Sequence, residues 1–257
     1  MAHYGDEGLV DRLAAALPAG TLDPIALAPI DQFHTRGLAA TREIAALAGI
    51  RAEDRVLDIG CGLGGPARVI EAECGAAVIG VDLSQPFVAA ARYLTQRTGQ
   101  RAWYLAASAL DLPLAAHSVD VVLLQHVAMN IEDRDRLYRE IARVLRPGGR
   151  FATHDVVTRG GEVAYPVPWA TRAAASHLET ADGTRRLIEA AGFTIRTVRD
   201  ETDAGLAWLA ETAQSPPPRP NLSLAMGAEF GAMVATHAAN VRAGRVGLLM
   251  ALATTST

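Results

Sequence analysis

Asp58-Ile59-Gly60-Cys61-Gly62-Leu63-Gly64-Gly65 stands directly behind a short apolar run and directly ahead of a helical pattern. Gly60, Gly62 and Gly65 fit G-x-G-x-x-G, a spacing that lets a chain turn tightly and bring its backbone close to a nucleotide. The glycines do not choose the nucleotide, but Asp58 does. A carboxylate two residues ahead of the first glycine would face the pyrophosphate of NAD, where a helix N-terminus should offer positive potential. S-adenosylmethionine carries no phosphate and presents an ammonium and a sulfonium, so the same carboxylate becomes favourable. Asp82, twenty-two residues after Gly60, ends the next apolar run. It is placed to accept hydrogen bonds from both hydroxyls of an adenosine ribose, a contact shared by either cofactor.

A second set of candidates surrounds the atom that would react. Gln125-His126-Val127-Ala128-Met129-Asn130 follows a further apolar run, at the strand end where ligands of open parallel sheets lie. His126 can orient an acceptor or take its proton near neutral pH, or it can simply pack against the cofactor. His34, in Asp31-Gln32-Phe33-His34-Thr35, is a second candidate, with a local hydrogen bond beside an N-cap at Thr35 as the competing role. Tyr4 is a third, provided the chain start is tied down. Tyr165-Pro166-Val167-Pro168-Trp169 puts two aromatics in an insertion, where they would wall a pocket for an apolar or cationic acceptor or anchor the loop to the core. Together with Asn130, Tyr165 and Trp169 are the expected substrate-pocket residues. The seven histidines show no H-x-x-x-H or H-E-x-x-H spacing, so no metal site is expected.

The elements that must position these groups are legible as alternation. Residues 55–59 (RVLDI), 77–81 (AVIGV), 102–106 (AWYLA), 119–124 (VDVVLL) and 150–157 (RFATHDVV) read as strands buried on both faces. Between them, helical spacing covers about 63–74, 84–98 and 132–145, the last closed by Pro147-Gly148-Gly149. Upstream, 6–17 and 35–48 read as helices. Downstream, 182–191 and about 222–243 read as helices, and 193–199 and 246–253 as strands. The expected fold class is α/β, a Rossmann-like doubly wound sheet. Residues 1–34 are expected to form a helical lid over its open end, and 35–257 the main domain. That domain carries an insertion at about 158–180 and added helices at about 203–243, separated by Pro216-Pro217-Pro218 and Pro220.

Several ordered motifs together resemble the class I S-adenosylmethionine-dependent methyltransferases. VLDIGCGLGG (56–65) is similar to the family's first motif, VDLS (81–84) to its acidic second, SALDLPL (108–114) to its adenine-side loop, and LRPGGR (145–150) to the turn before strand five. AGF (191–193) resembles the start of the sixth strand, and AGRVGLL (243–249) the end of a small-molecule subgroup that includes sarcosine/dimethylglycine and tocopherol-type methyltransferases. The resemblance implies a seven-stranded sheet with its last strand antiparallel, and S-adenosyl-L-methionine as cofactor. It implies cofactor contacts from Asp58, Gly60, Cys61, Gly62, Asp82, Leu83, Ser108, Ala109, Leu110 and Gln125. Where the family usually carries Asp before Ala in the adenine loop, this chain has Ser108-Ala109, a weaker acceptor.

Composition narrows the partners. All 24 basic residues are arginine, yet the formal net charge is −4, so there is no global positive field for nucleic acid or an acidic membrane surface. The post-strand-four segment also lacks the acidic or Asn-Pro-Pro-aromatic motif of nucleic-acid amine methylases. Two cysteines, Cys61 and Cys74, and an N-terminus broken by Asp6, Glu7, Asp11 and Arg12 point to a reducing, cytoplasmic setting. The expectation is a methyltransferase acting on a small molecule, with the acceptor atom and oligomeric state open. The rivals are an enzyme or binding protein of the same fold without methyl transfer, such as a cyclase or decarboxylase, and a nicotinamide oxidoreductase.

Overall fold

The computed structural model describes residues 8–214 and 220–256. After two short helices, α1 (Leu9–Ala16) and α2 (Ala28–Asp31), and a longer α3 (Gly37–Leu47), the chain enters the alternating core. There β1 (Arg55–Ile59), α4 (Gly65–Cys74), β2 (Ala77–Asp82), α5 (Gln85–Arg97) and β3 (Trp103–Ala106) build one half of the sheet. The other half comprises β4 (Val119–Gln125), α6 (Arg134–Val144), β5 (Leu145–Thr158), α7 (Ala181–Ala190) and β6 (Phe193–Asp200). Helices α8 (Thr202–Gln214), α9 (Ser223–Met226) and α10 (Phe230–Arg242) precede the last strand, β7 (Val246–Thr255). The stretch expected as one helix over 222–243 is thus two, parted at Gly227, whose φ of 87° a helix cannot accommodate.

The seven strands lie in the order β3-β2-β1-β4-β5-β7-β6. The β1–β5 pairings are parallel, while β7 runs antiparallel between β5 and β6. The order reverses between β1 and β4, which opens a crevice beyond their carboxyl ends. Into it lead the glycine loop after β1 and the His126 segment after β4. One face of the sheet buries Val56, Leu123, Ile44 and Ile70 against α3, α4 and α5. The other buries Leu57, Leu124, Ile141 and Phe193 against α6 and α7. Central strands are apolar on both faces for this reason.

Local chemistry sets the helix starts. Ser84, Asp133 and Thr180 each accept the N3 backbone N–H of the helix that follows, from Phe87, Arg136 and Gly183. The N-cap expected at Thr35 falls instead on Arg36, whose φ of 72° turns the chain into α3 with no side-chain cap. The Arg36 guanidinium is held by Glu43 and, at 2.6 Å, by Glu201.

The described part of the N-terminal segment runs from the flank of the sheet to its open end. Leu9 and Leu13 of α1 are buried with Phe87, Ala90 and Leu94 of α5 on the flank of the sheet, and Ala225 of α9 closes the cluster. Residues nearer α3 reach the crevice: Phe33 lies over Gly62, and Asp31 is fixed to the buried Arg68 of α4 at 2.7 Å.

Candidate active site

The glycine loop is fixed by its neighbours. The N–H groups of Gly60 and Cys61 donate to Val81 O at 2.7 and 3.1 Å, and Gly62 N donates to Asp82 Oδ2 at 2.9 Å. A Cβ on Gly60, at φ 72°, would stand 2.2 Å from the Val127 side chain, so only glycine lets this turn pass beneath the His126 segment. Asp82 also accepts from Ser84 N at 2.8 Å through Oδ1, so its carboxylate is oriented before any ligand arrives. Burial raises its pKa against three backbone hydrogen bonds that lower it.

Asp58 is 1% exposed, and its Oδ2 has no hydrogen-bond partner. Burial, with Asp82 as a neighbouring negative charge, pushes its carboxyl up to about 8. Gln125, at the end of β4, is also buried, with both amide atoms unpaired. Buried polar groups without partners are rare in folded proteins, and these flank the crevice from β1 and β4. The adenine-side candidates occupy the turn after β3. There the Ser108 hydroxyl accepts Leu110 N at 3.1 Å, which commits one of its lone pairs. Leu83 stands exposed beside Asp82.

The catalytic candidates meet on the other side of the crevice. The rings of His34 and His126 lie 6.1 Å apart by their centroids, and His154 of β5 completes a triangle at 5.0 Å from His126 and 6.1 Å from His34. His34 Nε2 lies 2.9 Å from Gly37 O. A carbonyl can only accept, so Nε2 carries the hydrogen and Nδ1 is left as the ring's acceptor. The local bond and the place beside His126 therefore coexist. Burial lowers the pKa of His34 to about 4 and that of His154 to about 3. Burial, with the facing His154, His34 and His237, holds His126 well below its usual range. All are neutral imidazoles at physiological pH.

His126 is fixed through its backbone. Its N–H donates to His154 O at 2.7 Å and its φ is 53°, a left-handed conformation uncommon outside glycine. The following turn is pinned by Asp155, which accepts Ala128 N at 2.8 Å. Tyr4 lies outside the described residues.

From His126 a cavity of about 860 Å³ extends between four walls. Phe33 and His34 come from the N-terminal segment, Met129 from the turn after β4, Pro168 and Trp169 from the insertion, and Trp208, Phe230 and His237 from the added helices. Trp169 is therefore on the wall. Tyr165 packs into the apolar cluster behind it, and Asn130 closes the turn after β4 through its N–H to Val127 O at 2.9 Å; neither lines the cavity. Gln32, His237 and Trp208 were not singled out from the sequence. Each sits in a helix or loop whose local pattern says nothing of what faces it 100 or more residues away. Among the described residues, no group of three or more His, Cys, Asp or Glu side chains is disposed to hold a metal.

Residues 57–153 match the family model described as "Methyltransferase domain". A relative named methyltransferase GfsG, from Streptomyces halstedii, is 34% identical over 180 residues, covering 68% of this chain and 65% of that protein. This chain carries a class I methyltransferase domain. The domain is also 38% identical over 130 residues to 27-O-demethylrifamycin SV methyltransferase from Amycolatopsis mediterranei, covering 49% of this chain and 48% of that one. The chain thus spans less than two thirds of the length of either relative. In fold, it matches geranyl diphosphate C-methyltransferase from Streptomyces coelicolor A3(2), solved with S-adenosyl-L-homocysteine. The TM-score is 0.69 at 21% identity, over 98% of this chain and 87% of that one. No described helix is long and apolar enough to cross a membrane.

Proposed function

We propose that the domain transfers a methyl group from S-adenosylmethionine to a small, largely apolar molecule, with His126 as the base. The observation that carries this reading is the buried Asp58 carboxyl group, its Oδ2 unpaired, with the unpaired Gln125 amide, set beside a glycine cradle that opens towards His126. The donor set suits a cation. Asp58 and Gln125 would take the ammonium end of the cofactor, and Gly60, Cys61 and Gly62 its backbone. Asp82 would hold the ribose, with Leu83, Ser108, Ala109 and Leu110 against the adenine. When bound, S-adenosylmethionine supplies a methyl group already activated on a sulfonium. The chain's own work is then to align the acceptor, exclude water and accept a proton at a ring nitrogen of His126.

The same geometry disfavours a dinucleotide, whose pyrophosphate would meet Asp58 with no cation to offset it. The net charge of −4 supports a small acceptor rather than nucleic acid, and the free thiols of Cys61 and Cys74 support a reducing cytoplasmic setting.

Asp82→Asn tests the cofactor site. A hydrogen bond to a charged group contributes about 1.5–3 kcal/mol, so the dissociation constant of S-adenosylhomocysteine should rise about tenfold to a hundredfold while cooperative melting persists. An unchanged constant by calorimetry would remove Asp82 from the site, and stabilisation by NAD but not by S-adenosylhomocysteine in thermal melts would overturn the reading.

Asp58 gives a separate signature. With its pKa at about 8, the carboxyl group is mostly protonated at pH 7 in the free protein, and an arriving ammonium favours the carboxylate. Cofactor binding at pH 7 should therefore release about one proton, seen as a binding enthalpy that depends on the buffer's ionisation enthalpy; Asp58→Asn should abolish the dependence. The sign for stability runs the other way from a salt-bridged carboxylate. Because the folded pKa is raised, this group's contribution is greatest below pH 4 and is lost as pH rises towards 8.

A further inference from the structure

Two residues that line the apolar cavity each carry a buried ring nitrogen with no partner within the fold, His126 Nε2 and His237 Nδ1. They come from the turn after β4 and from α10, so two separate elements bring hydrogen-bonding side chains to the wall of one space. His237 is 3% exposed. Its ring stands edge-on to Trp169 at 5.2 Å, and its other nitrogen, Nε2, lies 3.4 Å from the Thr35 hydroxyl. Such atoms are normally satisfied by protein, water or ligand, and leaving them bare is costly.

The charge on the walls is as informative. Among the described lining residues only Arg36 and Arg42 are charged, and both are neutralised, by Glu43 and Glu201 and by Glu73 respectively. No described lining residue is a carboxylate that would hold an amine, and no described cation is left over for a phosphate. Burial keeps His237 neutral, with a pKa lowered to about 4. A neutral imidazole offers one donor and one acceptor, so Nδ1 can pair with a hydroxyl in either tautomer.

We propose that the cavity takes a neutral, mainly apolar molecule with at least two oxygen functions, one presented to His126 and a second held by His237. This rests on the methyl-transfer reading for the role of His126, and it assigns His237 as a residue that sets acceptor specificity. Sequence spacing gives no hint of it, since His34, His126 and His237 lie on separate elements.

The test uses the whole chain with S-adenosylhomocysteine present and a neutral dye, Nile red, in the cavity. Androstanediol and androstanol serve as matched rigid probes that differ by one hydroxyl. The diol should displace the dye at a concentration about tenfold lower than the mono-ol, a difference expected of one buried hydrogen bond. His237→Phe should bring the two probes to within about threefold of each other while S-adenosylhomocysteine affinity stays unchanged. Thr35→Val, which keeps the ring but removes its orienting hydroxyl, should give an intermediate preference, and it decides the matter if the phenylalanine variant does not fold. Sarcosine and geranyl diphosphate should not displace the dye. Equal binding of diol and mono-ol, an undiminished preference in the variants, displacement by either charged probe, or no steroid binding would each overturn the proposal. Failure of the wild-type chain to bind S-adenosylhomocysteine would instead overturn the methyl-transfer reading itself.

Discussion

His126→Asn should lower kcat by about a hundredfold to ten-thousandfold with little change in S-adenosylhomocysteine affinity, the usual range for removing a general base. Asparagine is the appropriate replacement because it tolerates the left-handed backbone at φ 53°, whereas alanine would add backbone strain to the lost imidazole. The pH profile gives the second readout. Burial and the facing imidazoles hold His126 well below its ordinary 6.5, so the base form persists as the solution is acidified past that value. The acid limb of kcat/KM should therefore fall below pH 6.5, with no loss of rate between pH 8 and 6.5 from this group. S-adenosylhomocysteine formed with an accepted substrate measures both. A variant with wild-type kcat would leave His126 as a wall residue.

Arg68→Met should destabilise the fold by about 3–5 kcal/mol, because it leaves a buried carboxylate without its counter-charge. The Arg68 and Asp31 side chains are both wholly buried and meet at 2.7 Å, and Arg68 also donates to Thr95 Oγ1 at 3.2 Å. Even with its partner in place, burial outweighs the attraction of Arg68 and holds the Asp31 carboxyl group at about 6. The pair is thus a weak source of net stability but a strong specifier of position. It clamps the segment carrying Gln32, Phe33 and His34 to the helix that opens at the glycine loop, where a Cβ on Gly65 would lie 2.4 Å from Asp31 O. Asp31→Asn combined with Arg68→Met should recover part of the loss, since no unpaired charge is then buried. Urea unfolding of the three variants measures this. Loss below about 1 kcal/mol in the single variant would mean that the segment is held by its apolar contacts alone.

The cofactor half of this protein is written locally. The glycines at 60, 62, 64 and 65, Asp58 just ahead and Asp82 one strand later are fixed in space by a strand, a turn and a helix that are contiguous in sequence. Spacing along the chain therefore translates directly into spacing in the crevice. The alternation of apolar runs and helical patterns fixed the sheet in the same way, because parallel strands need crossovers and both faces must be covered. The acceptor half is not local. His34, His126, His154 and His237 meet only because the β1–β4 reversal, the antiparallel insertion of β7 and the packing of α10 bring four distant segments to one end of the sheet. No period or spacing encodes such a meeting. Tyr165 and Trp169 show the limit most plainly: four residues apart in one insertion, they look alike as wall candidates in sequence, yet only the packing of α8 and α10 turns Trp169 onto the cavity and Tyr165 behind it. The clamp between Asp31 and Arg68 is tertiary for the same reason. A buried charge looks like any exposed one in a sequence until the fold removes its water.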